Sequence, residues 1–149
     1  MITLDLQSFR QSETGTSITG IIFINLHDGP FPESGWTDLP IALLSMWTEA
    51  LLQLEAPNRF NTDWYFMDGP YKARLTKETN PATPDTFDLA HLRACLIETA
   101  EQAIAHCAHH KIVNPDLVSL RDHIRRLKES QRPNQTNPPC LIQITRHRR

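Results

Sequence analysis

The 149-residue sequence predicts an α+β fold, one antiparallel sheet of about four strands with helices packed on a face. Three observations carry that expectation. Strand-like runs come in consecutive pairs joined by short turns, as antiparallel hairpins do. The tripeptide Asp-Gly-Pro followed by an aromatic occurs twice, as Asp28-Gly29-Pro30-Phe31 and Asp68-Gly69-Pro70-Tyr71, each time after such a run. Elsewhere the apolar residues switch to the 3–4 spacing of helices. The predicted order is β-β-α-β-β-α-α, with a further candidate strand near the C-terminus.

Ile2, Leu4 and Leu6 alternate with Thr3, Asp5 and Gln7, the pattern of a half-buried strand. Glu13-Thr14-Gly15-Thr16 turns the chain into a second strand over about 17–26, apolar on both faces toward its end, as a central strand is. In each Asp-Gly-Pro, Gly supplies a positive φ while Pro fixes its own φ and removes a donor, so the strand stops. Phe31 to Trp36 reads as an irregular loop. Thr37 or Asp38 then caps a helix with Pro40 in its first turn. Leu39, Leu43, Met46/Trp47, Ala50 and Leu54 form its apolar stripe, and Ile41, Leu44, Leu51 and Leu52 widen it. Only Ser45, Glu49 and Gln53 remain as a polar strip.

Phe60 to Met67 and Tyr71 to Thr76 make a second hairpin around the second Asp-Gly-Pro. After the breaker Asn80–Pro84, Asp85 or Thr86 caps a long helix reaching about His110. Its core face is Leu89, Leu92, Leu96, Ala100, Ala103/Ile104 and Cys107. Asn114-Pro115 opens a third helix, with Leu117, Leu120, Ile124 and Leu127 inward and Arg121, Arg125, Arg126 and Lys128 outward. Residues 131–139 read as a Pro/Asn/Gln linker, Cys140–Ile144 as a short strand and Arg146–Arg149 as a basic tail. The domain is thus placed at 1–130, with 131–149 appended to it.

No apolar run approaches the ~18–20 residues of a membrane span. Met1-Ile2-Thr3-Leu4-Asp5 lacks the basic start and apolar stretch of a signal peptide. Cys95, Cys107 and Cys140 are odd in number and show no CxxC spacing, which fits a reduced, cytoplasmic setting. The net charge of −2 hides an asymmetry. Between Asp28 and Asp68 the carboxylates are Asp28, Glu33, Asp38, Glu49, Glu55, Asp63 and Asp68, against Arg59 alone. Such a field attracts a cationic partner; the alternative is a solvated acidic face without one.

Other candidate chemistry is thin. His91, Cys95, Thr99, Gln102, His106 and His110 share one helical stripe, and His106 with His110 is a candidate metal pair. A zinc site needs three or four converging ligands, so a plain polar helix face is the competing reading. Asp28 and Asp68 form a carboxylate pair if the hairpins are neighbours, although Asp is also the preferred residue before Gly in a turn. No G-x-S-x-G elbow or Gly-rich phosphate loop occurs. The pI of about 6.4 and the lack of a reader motif argue against nucleic acid, despite the basic third helix and tail. Trp36 and Phe31, in a loop rich in carboxylates, are either exposed binding anchors or aromatics tucked back into the core.

The run Phe31-Pro32-x-x-x-Trp36-x-Asp38, an apolar helix with Trp47, and Phe66-Met67-Asp68-Gly69-Pro70-Tyr71 resembles small bacterial α+β proteins, some of which look like immunity proteins of polymorphic toxin systems. The resemblance covers roughly residues 20–76. It implies a partner-binding role and supplies no catalytic residue; separately, no metal and no cofactor are expected. The expected function is a non-enzymatic protein-binding protein that neutralises a basic toxin domain, with Asp28, Phe31, Glu33, Trp36, Asp38, Asp68 and Tyr71 as its contact surface. The alternative is a small enzyme or metal-binding protein using Asp28/Asp68 or the His106/His110 stripe.

Overall fold

The computed structural model describes residues 1–78, 83–130 and 140–149. Strands β1 (Ile2–Gln11) and β2 (Ile18–Leu26) form the first hairpin, followed by β3 (Gly29–Phe31) and β4 (Thr37–Asp38). Helix α1 (Pro40–Leu54) leads to the second hairpin, β5 (Asn61–Tyr65) and β6 (Tyr71–Glu78). Then come β7 (Thr86–Asp88), α2 (Leu89–His109), α3 (Pro115–Glu129) and β8 (Leu141–Arg148). No helix among the described residues is long and apolar enough to cross a membrane. Residues 131–139, expected as a linker, and 80–82 of the expected breaker loop lie outside the described residues.

The class is α+β as the pattern predicts, but the single sheet becomes two antiparallel sheets of four strands each. In the first, β2 is central: β1 pairs one edge, and β3 and β4 share the other. The chain after β2 therefore fills that edge itself, with Ile24 opposite Phe31 and Gly20 opposite Asp38. The second hairpin pairs with none of these strands and belongs to a sheet of its own, in the order β5-β6-β8-β7. Strand β8 pairs along all of β6, from Tyr71 opposite Arg148 to Glu78 opposite Leu141. The segment expected as a basic tail is thus sheet, and 141–148 belongs to the packed fold.

Helix α1 is the hub of the core, touching β2, β5, α2 and α3. Leu43, Leu44, Trp47, Leu51 and Leu54 are fully buried on it. Trp47 stacks on Trp64 of β5 with ring centroids 5.1 Å apart. Each indole N–H is satisfied: Trp47 Nε1 donates to Tyr65 O at 2.9 Å and Trp64 Nε1 to Trp47 O at 3.2 Å. Buried aromatics of this size gain from area and from geometry while keeping their polar handle paired. Met46, expected within the apolar stripe, faces solvent.

The caps differ in part from expectation. Leu39, not Thr37 or Asp38, is the N-cap of α1 and makes no side-chain cap. Asp88, not Asp85 or Thr86, caps α2 by accepting from Ala90 N at 3.0 Å, because 86–88 is drawn into β7 against β8. Asn114 caps α3 with Pro115 at its first position, as predicted. Helix α2 ends in a Schellman turn, with Ile112 N donating to Cys107 O and Lys111 in the left-handed region at φ 54.

Gly69 tests the turn chemistry. Its φ is +87, and a Cβ built there meets the Trp36 ring at 3.1 Å and the Tyr71 ring at 3.2 Å. Backbone strain and side-chain crowding act together, so Gly69→Val is expected to cost about 1–3 kcal/mol. Urea denaturation measures this, and an unchanged midpoint would show that the turn accommodates a branched residue.

Candidate partner-binding surface

Both Asp-Gly-Pro turns lie at one end of the molecule, and three sets of contacts fix them there. The first is Asp38, which is 3% exposed. Its Oδ2 accepts from Trp36 Nε1 at 2.9 Å and from the backbone N–H groups of Met67 and Asp68 at 3.1 Å each. Its Oδ1 accepts from Leu39 N at 2.8 Å. This carboxylate joins β4 to the second turn. Such charge-assisted bonds are strong, and a carboxylate as buried as Asp38 is costly to leave without them.

The second set is aromatic. Phe31 lies edge-on to Phe66 and Tyr71, with centroids 5.7 and 6.0 Å apart. Trp36 meets Tyr71 at 5.4 Å and Phe66 at 6.4 Å in the same T-shaped manner. One ring cluster therefore carries residues from both motifs.

Guanidinium groups of β8 and the residue after it form the third set. Arg146 donates to Gly29 O at 2.8 Å and lies over Phe31, while Arg149 donates to Gly69 O at 3.2 Å and Phe66 O at 2.6 Å and lies over Tyr65. Arg148 lies over Tyr71 at 5.6 Å. The glycine carbonyl of each Asp-Gly-Pro thus receives an arginine. Sequence reasoning missed these three residues as clamps. For Arg146 and Arg148 a signal was present, because Ile142, Ile144, Arg146 and Arg148 fall on one strand face; Arg149, after β8, carried none.

Several expected contact residues are therefore structural. Phe31, read as an exposed anchor or a core aromatic, is core, at 6% exposure. Asp38 is buried in the network just described and presents no charge to a partner. Trp36 and Tyr71 are half-buried in the ring cluster. Asp28, Glu33 and Asp68 are exposed, and Met67 beside them is 51% exposed, an apolar group that the sequence reading left in a strand.

The acidic surplus is also thinner than the count of carboxylates suggests. Asp63 is bound by Arg74 at 2.9 Å and Lys72 at 3.2 Å. The Arg74 hydrogen bond, opposed by burial and helped by Lys72, holds its carboxyl below the ordinary range. Glu55 is paired with Arg93 at 2.5 Å. What remains on the turns is Asp28, Glu33 and Asp68, next to the arginines of β8.

The alternative sites fare differently. His106 and His110 have ring centroids 4.4 Å apart, and His106 lies edge-on to Phe9. Among the described residues no three His, Cys, Asp or Glu side chains converge as metal ligands, around these histidines or around Asp28 and Asp68. His91 and Cys95 approach at 3.6 Å on the same helix. A further polar pair escaped the sequence reading: Ser45 Oγ lies 2.9 Å from His123 Nδ1 where α1 crosses α3. The same nitrogen sits 3.0 Å from Ser45 O, and Ser45 is buried, so the pair ties two helices together and has no room for a substrate.

No protein-family model matches the chain, and neither curated proteins nor solved structures give a match.

Two predictions follow from this geometry. Asp38→Ala strands three backbone donors and an indole, and is expected to cost about 2–4 kcal/mol in chemical denaturation; Asp38→Asn, which keeps one acceptor, should cost clearly less. Equal losses would show that the Asp38 hydrogen bonds do not carry the joint. Separately, partial burial and then the neighbouring His110 and His109 hold His106 below its ordinary value of 6.5. The unfolded chain binds this proton more tightly, so stability is complete above about pH 6.5 and falls as pH drops through the folded value. His106→Gln should flatten that limb in thermal melts between pH 5 and 7 (about the window of an ordinary imidazole); an unchanged slope would refute the assignment.

Proposed function

We propose that this chain is a non-enzymatic, cytoplasmic protein-binding protein of the immunity type, which neutralises a basic toxin domain through the end of the molecule bearing the Asp-Gly-Pro turns. The observation that carries the reading is the display of Asp28, Met67 and Asp68 on turns held from behind by Asp38, Arg146 and Arg149, with Glu33 exposed on the loop between β3 and β4. A surface ordered before contact loses little entropy on binding. Exposed carboxylates supply charge for steering, and the exposed Met67 beside Asp68 supplies an apolar contact for residence. The resemblance in the Phe31–Tyr71 region supports the same reading.

The partner in this reading is a cationic protein, and the contact set is Asp28, Glu33, Met67 and Asp68, with the edges of Trp36 and Tyr71. Phe31 and Asp38 support the set from below. The test is to identify the product of the neighbouring gene, which this reading expects to be a basic toxin domain, to co-express the two and to follow with kinetics of the purified pair. Glu33→Lys with Asp68→Lys should slow association about tenfold or more and flatten its salt dependence, because steering acts on the on-rate. Met67→Ala should speed dissociation instead. Protection and binding kinetics unchanged in folded variants would remove the interface from this end.

A further inference from the structure

The last turn of α2 carries His106 and His109, and His110 is its C-cap. His110 N still donates to His106 O at 3.1 Å, so helical spacing continues through the cap. Residues 106 and 110 therefore lie one turn apart on one face. Their rings stand 4.4 Å apart between centroids, tilted by 48°. His106 is half-buried and lies edge-on to Phe9 of β1 at 5.2 Å, which holds its ring, while His110 is exposed. The imidazoles of His91, His123 and His147 each have a polar partner. Those of His106 and His110 have none among the described residues, although they face each other.

We propose that His106 and His110 form a two-imidazole chelate for a divalent late first-row transition ion, nickel, copper or zinc, with water in the remaining positions. A neutral imidazole nitrogen is a donor these ions favour. Two rings one turn apart on a helix can each bring a nitrogen to about 2.0–2.1 Å from a common point. The contact with Phe9 orders one ligand in advance, so less freedom is lost on binding. The site also lies at a helix C-terminus, whose partial negative charge favours a cation. No third His, Cys, Asp or Glu converges there among the described residues. The ion is thus exchangeable, held more weakly than in a closed site of three or four protein ligands. Bound across the last turn of α2, it stabilises the folded chain in proportion to its concentration. The site shares no residue with the Asp-Gly-Pro end and does not depend on the immunity reading.

The probe is nickel(II) chloride titrated into the full chain without a polyhistidine tag, read by calorimetry and by thermal melts. One saturable site is expected, with a melting temperature that rises with nickel concentration. A chelate needs both rings, so His106→Gln and His110→Gln should each weaken binding about tenfold or more. The double variant should bind no more weakly than either single one. His109→Gln should leave the affinity unchanged, and so should His91→Gln, which removes the imidazole 3.6 Å from Cys95. Circular dichroism without metal checks each fold, and His110→Gln alters an exposed ring, so at least one variant tests the chelate in a folded chain. The proposal is overturned by an absence of saturable binding or by a melting temperature that nickel does not move. It is equally overturned if either single variant binds as the original chain does, or if the loss follows His109 or His91 instead.

Discussion

The carboxylate of Asp38 is the joint on which the arrangement of the two sheets depends. It belongs to β4 on the edge of the first sheet, yet three of its four hydrogen bonds go to Trp36 and to the backbone of Met67 and Asp68 beyond β5. A buried charge is costly unless it is fully hydrogen-bonded, and here the donors surround it. The requirement runs both ways. Without the carboxylate, the donors at 67 and 68 have no partner; without the turn, the carboxylate is buried and unsatisfied. That mutual dependence sets the second hairpin against the first although no ladder links them.

The arginines of β8 complete what Asp38 begins. The carbonyls of Gly29 and Gly69, two of the positive-φ glycines, are occupied by guanidinium groups that also cover aromatic faces. A planar guanidinium does both at once, which an ammonium does not. The opposite charges that look segregated along the sequence are thereby brought together in space. The basic C-terminal residues meet the acidic 28–68 stretch at its two turns, through bonds to the glycine carbonyls.

Local patterning made much of this legible. The α3 core face, its Asn114-Pro115 start, both hairpins and the positive φ at Gly29 and Gly69 follow from spacing and turn chemistry alone. What was hidden is non-local. Nothing near Asp38 in the sequence distinguishes a helix cap from a carboxylate that reaches residues 67 and 68, because both place an acid before an apolar helix. Phe31 and Trp36 looked alike as loop aromatics; both pack on Phe66, thirty or more residues away, yet only Phe31 is fully in the core. Arg146 to Arg149 read as a basic tail because charge outweighed the strand alternation that continues to Arg148. The division into two sheets was equally out of reach, since it turns on short edge pairings of two and three residues.

The place of β8 between β6 and β7 also bears on how the chain folds as it is synthesised. Its neighbours are made earlier, and β7 pairs with nothing else in the sheet. Until residues 141–148 emerge, β6 has a bare inner edge of eight residues, and the Gly29 and Gly69 carbonyls lack their arginines. The nascent protein can close its first hairpin early, but the second sheet waits on a pairing that spans more than sixty residues. Long-range pairing of this kind is slow, and an open edge during the wait invites strand exchange with another chain. The same strand that locks the finished surface thus sets the interval in which the unfinished protein is most exposed to aggregation.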